Sequence, residues 1–491
     1  MQTATESSPL RPFASIPALA GSRALGGHMP LIRNDRMALL RLGAESPHAL
    51  ARIEAVLGSV VMPTTPALFH EVLVERNSDY RKSAMMRFTL APIANEGLFT
   101  ASGELWKRQR KLMAPMFHPS VLKGYADDMS RCTRRAIDGW ADGGRIEFAR
   151  ETTRVAMAVA GRTFFDSDTD EDTERLSDAI TVALDWGSHA AGGAYSLAHI
   201  IPAFALARAA DRLPEPMAES ARSLSSKLEK PLFFPGAQGK RLKEAVEVLE
   251  TRVRDMISQR RAQGFERPDL LSRLLAARDD DGTAMSDQQV RDEILTLFIA
   301  GHETTATGLA WSMDLLCRHP EWYARAQREA DALGHEPTVE DLPRLQTILR
   351  VFKEALRLYP PAYLFGRTAW SATELGGYAL PRFANVLLSP WVLHHNPRVW
   401  DDPERFDPDR FLPEREAARH RSAWVPFSAG PRVCIGNHFS MMEAQLVLAQ
   451  MLQRANFEAL EHPAPDPSAT LRPHGTLPMR VTLRPGAVTR A

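Results

Sequence analysis

Cysteine is scarce in this chain: Cys132, Cys317 and Cys434 are the three in 491 residues, far apart and in no CxxC spacing. That excludes a disulfide framework or a zinc ribbon and suits a reducing compartment. An excess of one charge is also missing. Sixty Lys+Arg balance sixty Asp+Glu, so no net field invites nucleic acid or an acidic surface. The N-terminal stretch has no apolar run near the roughly 18 residues a membrane span needs; Pro12, Pro17, Arg23, Arg33 and Arg36 interrupt it. Residues 13–20 are too short and weakly apolar for a signal-peptide core, and Pro17 breaks them. No transmembrane anchor is therefore expected. No linker is long or polar enough to divide the chain, although its length would permit about three domains. The composition, 44% hydrophobic and 24% charged, is ordinary for a soluble protein. The reading is an extended Pro/Gly/Ser-rich arm over residues 1–30, then one large helix-rich domain over 31–491.

Chemistry concentrates near the C-terminal end, in Phe427-Ser428-Ala429-Gly430-Pro431-Arg432-Val433-Cys434-Ile435-Gly436. Its glycines permit positive φ and close backbone approach to a large flat object. A helical pattern starts near Asn437, and a thiol at a helix N-terminus is expected to have a lowered pKa. A lone cysteine is ordinarily a small buried hydrophobe, but core packing does not require this spacing of Phe, Gly, Arg, Cys and Gly. The pattern FxxGxRxCxG resembles the cysteine-ligand loop of the cytochrome P450 superfamily, the haem-thiolate monooxygenases. The resemblance implies that Cys434 is the proximal iron ligand of haem b (iron protoporphyrin IX), its thiolate pushing electron density onto iron. It further implies that Phe427 packs near the sulfur, that Arg432 pairs with a haem propionate, and that Gly436 belongs to the haem-binding loop.

A long helix is predicted after Ser286, with Gln289 as its capping-box partner, running through Ala300-Gly301-His302-Glu303-Thr304-Thr305 towards Leu316. Glycine and two threonines in mid-helix are poor helix formers, a local violation typical of a functional site. Ala300 and Gly301 lack bulk, so the helix can pass close over a flat cofactor. Thr304 is placed to bond the Ala300 carbonyl and open the ladder. The stretch resembles the family's AGxET(T) signature, which implies that Glu303 and Thr304 deliver protons to bound dioxygen. A zinc-protease HExxH is excluded, because Ala306 stands where its second histidine belongs.

Three further patterns support the resemblance. Trp106 and Arg110, four apart on a basic helix, match a WxxxR pair that donates to haem propionates; an exposed basic helix with a Trp anchor explains them equally. Lys107, Arg108 and Lys111 would face outwards, either as a docking patch for an acidic redox partner or as an ordinary solvated face. Glu354 and Arg357 form ExxR before Pro360-Pro361, and Arg405 in Pro403-Glu404-Arg405-Phe406 is expected to join them. Arg367 matches another propionate arginine. Substrate contacts are expected from Met86 and Phe88 in an aperiodic loop at 79–97, from Tyr363 and Leu364, and from Thr476 and Leu477 at the tip of a hairpin at 470–485.

Elsewhere, helices are predicted at 37–57, 67–76, 120–140, 147–165, 172–190, 239–263, 267–275, 321–333 and 342–359, strands at 59–62 and around 378–388, and a turn at 279–282. The apolar stretch 186–238, with Pro214, Pro216, Pro231, Pro235 and Phe233-Phe234, reads three ways: a widened substrate mouth, a face resting on a membrane, or a packed insertion. The family resemblance implies a fold that is mostly α with a small β region, the haem lying between the distal helix and the cysteine loop. It implies a monooxygenase of the soluble, cytoplasmic bacterial kind, inserting one atom of dioxygen into a lipophilic small molecule. No flavin or iron–sulfur domain is evident, so electrons come from an external ferredoxin or flavodoxin-type donor with its reductase. Alternatives are a haem-thiolate isomerase, dehydratase or peroxygenase, against which Glu303-Thr304 argues, and a haem sensor without turnover.

Overall fold

The computed structural model describes residues 9–21, 26–55, 58–165, 170–191, 193–232, 234, 236–265 and 269–484. The chain forms two compact units, the first from Met1–Ser83, Tyr363–Arg405 and Ala417–Val433, the second from Ala84–Ala362, Phe406–Glu416 and Cys434–Ala491.

The first unit is built on a five-stranded sheet. Its strands run in the order Leu50–Ala55, Gly58–Pro63, Asn385–Leu388, Phe365–Ala369, Tyr80–Lys82, antiparallel except for the parallel pair Gly58–Pro63 and Asn385–Leu388. The helix expected over 37–57 therefore stops early. It spans Arg36–Ala44, with Asp35 accepting from the Ala38 N–H at 2.9 Å, and Leu50–Ala55 is a strand instead. There Ala51 and Ile53 are buried while Arg52 and Glu54 are not, a period of two that pairing with a neighbour makes decisive. Phe69, Val72, Leu73, Val386 and Leu388 fill the core beneath the sheet. The described part of the arm is docked: Arg11 bridges to Tyr378, its guanidinium 3.7 Å over that ring, and Ala18 bridges to Arg52. Residues 1–8 lie outside the described residues.

The second unit is helical. Its main helices are α1 (Ala84–Ala94), α2 (Gly103–Met113), α3 (Ala126–Asp138), α4 (Phe148–Phe165), α5 (Asp170–Ala190), α6 (Ala194–Ala210), α7 (Met217–Leu228), α8 (Gly236–Gln263), α9 (Asp287–Arg318), α10 (Gln346–Leu358) and α11 (Asn437–Arg454). The loop expected at 79–97 is thus mostly helix α1, which tolerates Pro92 inside it. The long helix appears as expected: Ser286 accepts from the Gln289 N–H at 3.2 Å and the Gln289 side chain accepts from the Ser286 N–H at 3.0 Å. Trp311 on α9 is fully buried, stacks on Tyr359 at 4.0 Å and donates to the Leu471 carbonyl at 2.8 Å. Close contact of α9 and α10 depends on Gly308, where an added Cβ would lie 2.8 Å from the Phe352 ring.

The C-terminal stretch is not the hairpin expected. Leu471–Pro473 pairs with Pro465–Pro467, while Pro478–Leu483 lies between Arg145–Glu147 and Ala455–Ala459. Most of the 186–238 stretch folds as α6 and α7, which meet through Ala210, Ala218 and Ala221. Ile201, Met217, Leu224 and Leu232 are exposed there; Phe233 and Pro235 lie outside the described residues. Among the described residues no single helix is long and apolar enough to cross a membrane. The pair Arg175–Ala190 and Ala194–Ala210 reaches that length only when its halves, bent by 69°, are taken together.

Candidate active site

On α9, the Thr304 hydroxyl donates to the Ala300 carbonyl at 2.7 Å, as the spacing predicts. The helix is continuous across 300–304. Gly301 faces the Phe164 ring of α4, where a Cβ would be in van der Waals contact at 3.4 Å. Glu303 is held from a distance in sequence: Thr470 donates to its Oε1 at 2.8 Å. Thr305, next along α9, donates to Ser440 on α11 at 3.1 Å. Beside it lies Glu443, buried, its carboxyl raised well above the ordinary value by burial, with the Thr305 hydroxyl acting the other way. Thr470, Ser440 and Glu443 escaped the sequence reading, since nothing local marks a partner 135 to 167 residues away.

Cys434 stands just before α11 and is exposed, yet protein crowds it closely enough for burial to raise its thiol pKa. The Gly436 N–H and the Arg110 guanidinium pull the other way. The lowered pKa expected at a helix N-terminus is thus not found, because desolvation outweighs the Gly436 N–H and the Arg110 charge. Arg110 and Trp106 are half-buried on α2, and burial lowers the Arg110 pKa.

In the first unit, Gly430 adopts φ +67° with the Leu73 and Val74 backbone against it, leaving no room for a side chain. Phe427 is half-buried and meets Trp424 edge-on at 6.0 Å. Arg367, on the strand Phe365–Ala369, is 5% exposed. Burial first, and the neighbouring Arg432 second, bring its pKa down to about 9. Its Nη1 donates to the Gly366 carbonyl at 3.1 Å, and its buried Nε has no hydrogen-bond acceptor among the described residues. Tyr363 is buried, its carbonyl accepting from Ser389 at 2.7 Å; Leu364 is half-buried.

The ExxR pair is formed in full. Arg357 Nε and Nη2 reach Glu354 Oε2 and Oε1 at 2.7 and 2.9 Å, both side chains fully buried. The third arginine is Arg410, whose Nε lies 3.4 Å from Glu354 Oε1, and not Arg405, which is exposed and 3.8 Å from Asp402. Asp407 decides this. Its N–H donates to Glu354 Oε1 at 2.9 Å, and its side chain accepts from the Asp409 N–H at 3.1 Å, starting the 3-10 turn Pro408–Phe411 that carries Arg410 inward.

Of the expected substrate contacts, Met86 is half-buried on α1, Thr476 is exposed and Leu477 is fully buried. Phe88 is sealed in a cluster with Trp186, Tyr195 and His199, ring centres 6.3, 5.5 and 5.3 Å away. The basic face of α2 is already engaged: Arg108 donates to Asp279 at 2.6 Å, Lys111 to Asp280 at 2.5 Å and Lys107 to Glu104 at 2.7 Å. These residues line a surface notch of about 510 Å³.

A sequence model of the family described as Cytochrome P450 matches residues 25–478. Cyclooctatin synthase of Streptomyces melanosporofaciens is 34% identical over 469 residues, covering 93% of this chain and 94% of that protein. Pentalenene oxygenase of Streptomyces avermitilis is 32% identical over 426 residues, covering 86% of each. The crystal structure of the cytochrome P450DA haem domain superposes with a TM-score of 0.79 at 25% identity, over 97% of this chain and 99% of that one. With the family match spanning nearly its whole length, the chain belongs to the cytochrome P450 family and is a monooxygenase, an oxidoreductase.

Proposed function

We propose that this enzyme binds haem b through Cys434 and oxygenates a lipophilic terpenoid, using Glu303 and Thr304 to supply protons. The side chains suit such a cofactor. Two guanidiniums, Arg367 and Arg432, stand together, Arg367 almost wholly buried with an idle Nε and a pKa pushed down. Like charges in a dry setting call for an anion, and a propionate is one. Arg110 and Trp106 would contribute further donors, Gly436 and Phe427 would stand beside the sulfur, and Ala300 would leave space over the ring, whereas the bare side of Gly301 is turned to Phe164. The Glu354–Arg357–Arg410 network would brace the cysteine loop.

A bound haem supplies the redox chemistry by which one atom of dioxygen enters the substrate and the other leaves as water. The chain's own part is proton supply and exclusion of water. Thr304 holds a proton at Oγ, and Glu303, steadied by Thr470, replenishes it. The observation that carries this reading is this acid–alcohol pair on one turn of α9, which an isomerase, dehydratase or peroxygenase does not need. Two electrons come from an external ferredoxin or flavodoxin-type donor with its reductase, in the cytoplasm. The terpenoid class rests on relatives named for pentalenene and cyclooctatin, among the fatty acids, terpenes, steroids and polyketides that an apolar site admits. Residues lining the pocket would include Met86, Tyr363 and Leu364.

The test is the carbon monoxide spectrum of the reduced protein. Wild type is expected to show the red-shifted carbonyl band and Cys434→Ser to lose it; an unchanged band in the variant removes Cys434 as ligand. Titration with pentalenene-like hydrocarbons and with fatty acids then separates the substrate classes by which one displaces the iron's spectrum.

A further inference from the structure

His394 and His395 stand side by side at the end of the short helix Pro390–His394 in the first unit, but they answer to different partners. His395 stacks on Trp391 with ring centres 3.9 Å apart, and its Nδ1 lies 2.9 Å from the Trp391 carbonyl. His394 is fully buried, and its Nε2 accepts from the Val425 N–H at 3.0 Å. That bond needs a lone pair on Nε2, so the ring is neutral and its proton sits on Nδ1. Trp400 meets the ring edge-on at 6.3 Å. The helix is fixed at its start, where Ser389 accepts from the Val392 N–H at 3.2 Å and donates to the Tyr363 carbonyl at 2.7 Å.

What His394 holds is the first residue of the turn that leads into the cysteine loop. Val425 is buried and lies in no helix or strand, so its N–H depends on a side chain for a partner. Its carbonyl accepts from the Ser428 N–H at 3.0 Å, closing the turn Val425-Pro426-Phe427-Ser428. Ser428 has φ +61°, a left-handed conformation that a serine keeps only where its surroundings impose it. Two contacts do so: His394 at the head of the turn, and the Leu73 and Val74 backbone pressed against Gly430 beyond it. The 3-10 turn Gly430–Arg432 then closes with the Val433 N–H on the Gly430 carbonyl at 3.0 Å, and Cys434 is the next residue.

We propose that His394 is a positioning residue for the iron ligand: by holding the Val425 N–H it sets the turn that carries Phe427, and with it the approach of the chain to Cys434. The inference rests on the reading of Cys434 as that ligand. The turn needs an acceptor at this point rather than a ring of this size. Left without one, the buried N–H must move towards water or a new partner, and the turn moves with it.

The test uses the full-length, haem-loaded protein. Hydrogen–deuterium exchange of the Val425 amide, and the carbonyl band of the reduced protein, are compared in wild type, His394→Phe and His394→Gln. Phenylalanine fills the space without an acceptor, whereas the glutamine Oε1 falls near the place of Nε2. In wild type the amide is expected to exchange slowly although it lies outside helix and strand; fast exchange there overturns the bond without any variant. His394→Phe should speed exchange by about tenfold or more and shorten the life of the red-shifted band severalfold, while His394→Gln stays near wild type in both. Unchanged exchange in His394→Phe overturns the inference. So does faster exchange with a band as long-lived as in wild type, or a His394→Gln that behaves like His394→Phe. If His394→Phe does not fold, wild type and His394→Gln still decide. A wild type without the red-shifted band counts against the Cys434 reading instead, leaving Val425 exchange and its retention in His394→Gln to judge the turn.

Discussion

Glu443 is a buried carboxyl, and desolvation favours its neutral form. A protonated carboxyl also has a hydrogen to give, which suits a neighbour whose own hydroxyl donates to Ser440. Because its folded pKa lies above the ordinary 4.5, the folded protein keeps a proton that the unfolded chain releases. The associated stability is whole below the ordinary value and is lost as pH rises towards the folded one, by at most about 1.4 kcal/mol per pH unit. Glu443→Gln should remove this slope, so denaturant midpoints of variant and wild type should diverge as pH rises above the ordinary carboxyl value; parallel midpoints would mean an ionised Glu443. The two candidate arginines separate in the same assay. Arg410→Gln leaves the doubly engaged Glu354 short of a buried partner and should cost about 3 kcal/mol or more. Arg405→Gln should stay within about 0.5 kcal/mol. Thr304→Ala should retain haem and lower product formed per NADPH by about tenfold or more, with peroxide released instead. Coupled turnover in that variant would take Thr304 out of the proton path.

Among the elements, α9 shows how local rules and packing compete. Replacing its Gly308 by alanine gains roughly 1 kcal/mol of helix propensity. The new Cβ, however, would sit 2.8 Å from the buried Phe352 ring of α10, and overpacking of this kind costs about 1–3 kcal/mol. Packing should win, so Gly308→Ala is expected to lower the thermal midpoint; a rise would mean that α10 yields easily. The elements misread from sequence share a cause. Leu50–Ala55 and α1 are short segments whose state depends on a neighbour: a strand partner at Gly58–Pro63 for the first, and α5, α6 and α9 packed around the second. Neither partner is visible in a window of a few residues. The long helix α9 was legible because its cap and its length are local properties.

For the molecule as a whole, zero formal net charge and four exposed apolar side chains between Ile201 and Leu232 act together. Without charge repulsion, exposed apolar side chains promote self-association. Leu224→Ser with Leu232→Ser should reduce light scattering at neutral pH without shifting the unfolding midpoint; unchanged scattering would place the sticky surface elsewhere.

The patterns proposed above to carry the chemistry are legible in the chain alone, because their spacing is short-range. Cys434 between its glycines, Thr304 one turn after Ala300, and Glu354 three before Arg357 need no more than a helix or a turn to be placed. Tertiary structure alone decided which distant groups complete them: Thr470 on Glu303, Ser440 on Thr305, and Arg410 in place of Arg405 on Glu354. It also decided that the basic face of α2 is occupied by the Asp279–Asp280 turn. Spacing along a helix is a property of the backbone, whereas a partner more than fifty residues away is chosen by how whole elements pack, and no short stretch of sequence carries that information.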